Sequence, residues 1–363
     1  MGALPADAPL RLTPEGLYCV PARAWIDPWR PVPRALLTHA HADHARPGSG
    51  AYWSAEASEG VLRSRLGAQI PLTGVPYGAE LKLGDARVSF HSAGHVLGSA
   101  QILLEAGGER WLISGDYKRD PDPSCAPFTS VQADVFISEA TFGLPVYRWP
   151  PTPVVAQEIL NWWRQAPAIP SVLCCYAFGK AQRLLAELHA QGTREEVLLH
   201  GAIQRLMEPY RVAGIPMVPT RPLSALPRGE ALAGRLILAP PSALGTPWMR
   251  RFPKVQTAFA SGWMAVRGVR RRKGVGRGFV LSDHADWPSL VHTIVETGAQ
   301  QVFLTHGHGD ALARYLNEVR GLPAALLRSN EPGAWTRTED FPEEGEGSAA
   351  DPGSTGVPDV AEG

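Results

Sequence analysis

Seven consecutive residues, Thr38-His39-Ala40-His41-Ala42-Asp43-His44, place three imidazoles and a carboxylate directly after a short apolar stretch. Neutral imidazole and carboxylate are the side chains that hold divalent transition metals. In an extended segment residues i and i+2 project to the same side, so His39 and His41 present two rings together. Asp43 and His44 are expected to begin a helix and to reach a second ion. Two ions need more ligands than these four. His95 lies in Ser92-Ala93-Gly94-His95-Val96-Leu97-Gly98-Ser99, where flanking glycines let the backbone bend close to a metal. Asp116 ends a strand in Ser114-Gly115-Asp116-Tyr117 and can bridge two cations with its two oxygens. His306 ends another strand in Leu304-Thr305-His306-Gly307. Any one of these alone is an ordinary strand-end residue. As an ordered set after H-x-H-x-D-H they describe a dinuclear centre.

Positioning such residues requires strands that stop where the polar clusters begin, with the chemistry on the loops. The apolar patterning predicts strands at 35–37, 87–91, 100–105, 111–114 and 135–138, with a hairpin turn at Gly107-Gly108. The middle of the chain alternates differently, with strands at 171–176, 196–200, 235–239 and 255–260. Helices are expected there at 179–192 and 202–212. Such alternation predicts a parallel α/β unit. The first pattern then resumes, with strands at 278–281 and 301–304 and helices at 287–296 and 311–320. An α/β domain inserted at about 147–275 within a discontinuous parent domain accounts for this order.

The succession H-x-H-x-D-H, then a His, then Ser-Gly-Asp, then a His resembles the metallo-β-lactamase superfamily. Glu139 in Ser138-Glu139-Ala140-Thr141-Phe142, His284 in Ser282-Asp283-His284-Ala285-Asp286, and His306 in Thr305-His306-Gly307 look like the three motifs of its β-CASP nuclease group. The resemblance spans roughly residues 17–327. Tyr176-Ala177-Phe178-Gly179-Lys180-Ala181-Gln182-Arg183 and Leu281-Ser282-Asp283-His284-Ala285-Asp286-Trp287 look most like the bacterial ligase-associated DNA exonucleases. The resemblance implies an αβ/βα sandwich, 1–146 with 276–337, carrying an inserted β-CASP domain at 147–275. It implies two divalent ions, Zn²⁺ or Mn²⁺: His39, His41 and His95 on one, Asp43, His44 and His306 on the other, Asp116 on both. Asp27, in Trp25-Ile26-Asp27-Pro28, matches the superfamily's first motif and would orient a ligand histidine. His284 paired with Glu139 would serve as general acid, or would only contact phosphate.

The implied activity is hydrolysis of phosphodiester bonds, with a DNA exonuclease in end repair as the first reading and a functional link to an ATP-dependent DNA ligase. A His at the third motif is associated in this group with RNA-acting members, so an RNA-processing nuclease stays open. A small-molecule hydrolase of the same superfamily fits less well, because the inserted domain would roof the site into a groove. A silent scaffold would lack ligands, and every expected ligand is present. Nucleic-acid contacts are expected from Lys118, Tyr176, Ser261, Gly262, and Lys180 at a helix N-terminus. Phe142 and Trp263 are further candidates for stacking on bases. The basic run Arg267, Arg270, Arg271, Arg272, Lys273 and Arg277 could line a cleft.

Composition agrees with a partner that is a polyanion. The 363 residues carry 35 Lys and Arg against 35 Asp and Glu. Eight of the acidic residues lie in 338–363, which has no Lys or Arg and is expected to be a disordered acidic tail. The rest is therefore basic, as nucleic-acid binding favours. No apolar run is long enough to span a bilayer, and residues 1–10 do not read as a signal peptide. Cys19, Cys125, Cys174 and Cys175 form no C-x-x-C pair, so reduced thiols in a cytoplasmic protein are expected rather than a zinc knuckle.

Overall fold

The computed structural model describes residues 4–227, 229–266 and 276–329. Six short strands form the first sheet: β1 (Leu10–Thr13), β2 (Gly16–Cys19), β3 (Ala24–Ile26), β4 (Ala35–Leu36), β5 (Tyr52–Ala55) and β6 (Leu72–Val75), in that order. β1–β3 pair antiparallel and β3–β6 parallel. Five strands then begin the second sheet: β7 (Glu80–Leu83), β8 (Ala86–Ser92), β9 (Ala100–Ala106), β10 (Glu109–Ile113) and β11 (Val135–Glu139). A third sheet follows in sequence: β12 (Ser171–Cys174), β13 (Val197–Leu199), β14 (Thr220–Pro222), β15 (Leu236–Ala239), β16 (Gln256–Ala260) and β17 (Arg277–Phe279). The chain then returns to the second sheet with β18 (Gln301–Thr305) and β19 (Ala324–Leu326), giving the order β19-β18-β11-β10-β9-β8-β7.

The first two sheets bury their facing sides against each other. Leu10, Leu17, Ile26 and Leu36 from one meet Val88, Phe90, Ile102, Trp111, Ile137 and Phe303 from the other. The far side of the second sheet is covered by the helices Trp287–Glu296 and Gly309–Val319, through Leu290, Ile294, Leu312 and Leu316 on Leu112, Phe136 and Val302. The molecule is thus a mixed α/β protein whose sheets are stacked with helices, as an α/β sandwich requires.

The third sheet is parallel throughout, in the order β14-β13-β15-β12-β16-β17. Its central strands are buried on both faces, which is why they read as continuous apolar runs rather than alternating ones. One face packs on the helices Thr152–Arg164 and Lys180–Ala190, through Val155, Ile159, Leu184 and Leu188. The other carries Val172, Ile237 and Phe259 against Phe142, Tyr147 and Trp263.

Local structure departs from the sequence reading in several places. Asp43 and His44 begin no helix; residues 42–44 are a turn, closed by His44 N donating to His41 O at 3.2 Å. The expected helix at 202–212 is two, Gly201–Gln204 and Met207–Val212. Pro209 accounts for the break: its ring is tolerated only in a first turn, so a fresh helix must start just before it. The helix Thr152–Arg164 was hidden by the prolines around it, yet Pro151 and Pro153 sit at its N-terminal end, where a missing N–H costs nothing. Strand 171–176 stops at Cys174, which leaves Tyr176 in a loop. Most of the first sheet gave no signal, because strands of two to four residues carry too little alternation to detect. The acidic stretch 338–363 and Arg267, Arg270, Arg271, Arg272 and Lys273 lie outside the described residues. Among those described, no helix is long and apolar enough to cross a membrane.

Candidate metal centre and its surroundings

His39 and His41 follow β4 at the rim of the first sheet, and Asp27 directly follows β3 beside it. Asp27 has φ +43°, a left-handed backbone that a non-glycine residue adopts at a cost. That conformation turns its carboxylate inward. Oδ1 accepts from Thr38 N at 2.8 Å, and Oδ2 accepts from Thr38 Oγ1 at 2.6 Å and His44 Nδ1 at 2.7 Å. Thr38 Oγ1, having donated to Asp27, accepts from His39 Nδ1 at 3.0 Å.

Two backbone carbonyls fix the other rings. Phe178 O, in the loop after β12, accepts from His41 Nε2 at 3.3 Å. Asp283 O, in the loop after β17, accepts from His95 Nδ1 at 2.8 Å. In His39, His41 and His95, one nitrogen is committed as a donor, and the other is left with a lone pair.

Those lone pairs converge. His39 Nε2 lies 2.9 Å from His41 Nδ1, and His95 Nε2 lies 3.1 Å from the same atom. Acceptor facing acceptor at these distances is repulsive unless a cation sits between them. Asp116 Oδ2 completes the group, 3.5 Å from His39 Nε2 and 3.8 Å from His95 Nε2. The same oxygen is 3.5 Å from His44 Nε2, which is itself 3.6 Å from Asp43 Oδ2. His306 stacks on His44 with ring centroids 5.2 Å apart, its backbone at φ +55°. His44 Nε2 and Asp116 Oδ1 are buried without a hydrogen-bond partner. Two groups of ligand atoms result, His39, His41, His95 and Asp116 in one and Asp43, His44 and His306 in the other, each within 4.8 Å. Mixed nitrogen and oxygen donors with orphaned buried atoms between them fit divalent transition ions.

The protonation behaviour follows from burial and this crowding. Burial, then His95, pushes His41 down to about 3. Burial, then His44, holds His39 well below the usual range. Burial also opposes charge on His44, but Asp43, Asp116 and Asp27 outweigh it and hold it well above. Burial would raise Asp116; His44 and His284 outweigh it and keep the carboxyl well below the ordinary range.

Beside this cluster stands a third group. Glu139 closes β11, its Oε1 accepting from Tyr117 N at 2.7 Å and its Oε2 lying 2.9 Å from His284 Nδ1. His284 Nδ1 is 4.0 Å from Asp116 Oδ2. Burial works against its charge, but Glu139 and Asp116 raise it to about 9. Its side chain is 22% exposed against 1% for Glu139, so the ring can meet a ligand while the carboxylate stays dry.

Four of the expected nucleic-acid contacts are buried in the structure. Lys118 is buried and its Nζ donates to Ser282 O at 2.8 Å, with Asp120 Oδ2 at 3.1 Å. Lys180 is buried with Nζ 2.9 Å from Asp283 Oδ2 and 4.6 Å from the Tyr176 ring centroid. Both cations are committed to the protein, because closing the third sheet onto the second buries them. Ser261 and Gly262 are buried too: Ser261 Oγ accepts from Trp263 N at 3.4 Å, and a Cβ on Gly262 would stand 2.7 Å from Phe142. Arg277 is partly exposed, 3.7 Å from Glu158.

The sequence reading assigned no role to Thr38, to the carbonyls of Phe178 and Asp283, or to Arg183. A carbonyl leaves no trace in residue type. Arg183 does leave one, a charged residue among the apolar positions of its helix.

No protein-family model matches the chain. A protein of Opitutus terrae named "Probable DNA ligase" is 33% identical over 315 residues, covering 85% of this chain and 30% of that protein. Proteins named endoribonuclease ysh1 match shorter stretches. The one from Emericella nidulans is 40% identical over 65 residues, 17% of this chain and 7% of its own length. The one from Neurospora crassa is 29% identical over 128 residues, 34% and 14%. The chain therefore spans less than a third of these relatives. Among solved structures, a protein of unknown function from Enterococcus faecalis shares the fold, with a TM-score of 0.54, 11% identity, and coverage of 82% of this chain and 80% of that one.

Proposed function

We propose that this chain hydrolyses phosphodiester bonds of nucleic acid at a two-metal centre, as a DNA exonuclease of the metallo-β-lactamase/β-CASP kind. The observation that carries the reading is the facing of three imidazole lone pairs beside Asp116, with a second ligand group and the His284–Glu139 pair on its flanks. His39, His41 and His95 would hold one ion and Asp43, His44 and His306 the other, with Asp116 shared. Bound Zn²⁺ or Mn²⁺ would activate water near neutral pH and neutralise charge on the phosphate.

The chain's own residues supply the rest. Thr38, Asp27, Phe178 O and Asp283 O fix ring orientation and tautomer before any ligand arrives. His284, charged at neutral pH, has Nδ1 held by Glu139, so Nε2–H is the proton available to the leaving oxygen. In this reading the described residues between 147 and 266 belong to the inserted unit that walls a strand-sized groove, with Tyr176 at its edge. The Opitutus relative's name supports DNA as substrate and a working link to a ligase in end processing. A second reading, RNA cleavage, draws on the endoribonuclease names and on His306 at the third motif.

End-labelled single- and double-stranded DNA and RNA of matched sequence, digested with each metal added separately, separates the readings. Progressive shortening of DNA is the expected result. Preferential cutting of RNA would replace the DNA reading, and no cutting with either metal would remove the nuclease reading altogether.

A further inference from the structure

The loop between β17 and the helix Trp287–Glu296 carries His284, and its backbone is gripped at three successive carbonyls. Ser282 O accepts from Lys118 Nζ at 2.8 Å and Arg183 Nη1 at 2.6 Å. Asp283 O accepts from His95 Nδ1 at 2.8 Å, and His284 O from Trp149 Nε1 at 2.8 Å. The Asp283 carboxylate faces Lys180 Nζ at 2.9 Å and Arg183 Nη1 at 3.4 Å.

Arg183 reaches the most segments of these. It projects from the helix Lys180–Ala190 of the third sheet and is fully buried. Its Nη2 donates to Thr152 Oγ1 at the start of the helix Thr152–Arg164, and its Nε lies 3.4 Å from Asp122 Oδ2, beyond β10. A guanidinium taken wholly out of water is expensive, and arginine is almost never fully buried without partners. An apolar residue of similar volume would serve if the site only needed filling. The planar fork instead holds a carbonyl, a carboxylate and a hydroxyl from separate nitrogens in a fixed geometry, which the single nitrogen of Lys does not reproduce. Two of those partners belong to the residues that place His95 and His284.

We propose that Arg183 is a positioning residue: by fixing Ser282 and Asp283 it aims His95 at the metal and His284 at the leaving group, tying the third sheet to the hydrolytic centre. The His284 half rests on the proposed function; the His95 half concerns metal binding and does not. Trp149 makes the informative contrast, because, of the three carbonyls, its indole N–H holds that of His284 and not those of Ser282 or Asp283.

Full-length Arg183→Met, Arg183→Lys and Trp149→Phe are compared with the native chain, with Arg164→Met as the control for loss of an exposed ion pair to Glu195. Titration with Zn²⁺ or Mn²⁺ alone reads metal affinity, cleavage of labelled DNA reads kcat and KM, and thermal melting reads the folded fraction. Arg183→Met is expected to weaken metal binding and kcat by about 10–100-fold each, as loss of a ligand-orienting partner does, with KM nearly unchanged. Arg183→Lys should fall between Met and native. Trp149→Phe should lower kcat and leave metal affinity alone. Should Arg183→Met not fold, the Lys and Trp149 variants carry the test. The proposal is overturned if folded Arg183 variants bind metal and cleave within about threefold of native, well under that expectation. It is equally overturned if every loss tracks the melted fraction. If the native chain cuts no nucleic acid while Arg183→Lys still binds metal more weakly, the nuclease reading falls and the positioning of His95 stands.

Discussion

At the scale of single residues, the centre is organised by what holds each ring from behind. His44 shows this best: Asp27 takes Nδ1, so Nε2 must face Asp43 and Asp116. Asp116 Oδ2 lies 3.5 Å from both His39 Nε2 and His44 Nε2, between the two candidate ligand groups. Asp116→Asn keeps the shape but loses the charge that balances two cations. Cleavage should fall by more than about 10³-fold, the equivalent of several kcal/mol of charge stabilisation, with the melting profile unchanged when both chains are compared in chelator. Appreciable activity in that variant would remove Asp116 from the mechanism. His284→Ala separates acid catalysis from metal binding. Loss of a general acid predicts a fall in kcat of about 10²–10⁴-fold while two metals still bind. A selective rise in KM would instead make His284 a phosphate contact.

At the scale of elements, strand ends and tight turns bring the ligands together. Gly115 has φ +55°, and a Cβ there would stand 2.6 Å from Thr38 Cβ, so Asp116 can approach the His39–His44 turn only because no side chain intervenes. The helix Trp287–Glu296 is anchored just beyond His284 by Asp286. Its Oδ1 accepts from Ser289 N at 3.0 Å as an N-cap, and its Oδ2 accepts from Trp149 N at 3.1 Å. Asp286→Ala should lower stability by about 0.5–2 kcal/mol through the lost cap, read from denaturant midpoints. Because the same carboxylate holds Trp149, cleavage should fall further than the unfolded fraction accounts for.

At the scale of the whole molecule, three sheets meet at one centre. Ligands come from the first sheet's rim and from the second sheet's strand ends, while Phe178 and Asp283 reach in from the third. A bound ion would therefore add a tie between loops of all three sheets, beside the core of Leu37, Val96, Phe178 and Leu281 that already joins them. Ligand binding stabilises the folded state by about 2.7 kcal/mol at a hundredfold excess over Kd. Chelation should accordingly lower the melting temperature, and re-added Zn²⁺ or Mn²⁺ should restore it. An identical melt with and without chelator would mean that the crowded imidazoles hold no ion.

The sequence by itself picked out the side chains that the fold gathers into two candidate ligand groups, and the strands that carry them. Residue type fixes metal chemistry, and long apolar strands such as β8, β9 and β18 announce themselves by pattern. The helix Trp287–Glu296 was legible to the residue, because Asp286 caps it and Pro288 opens it. The short strands of the first sheet and the helix behind Pro151 were not, since their stability comes from neighbours far along the chain. Only tertiary structure decided which cations were free. Lys118 and Lys180 look like phosphate ligands in sequence, yet closing the sheets buries both against Asp120, Ser282 and Asp283. Arg183 emerges from the same packing: a guanidinium with no water to bind must be satisfied by whatever the fold brings to it, and here that is the loop of His284.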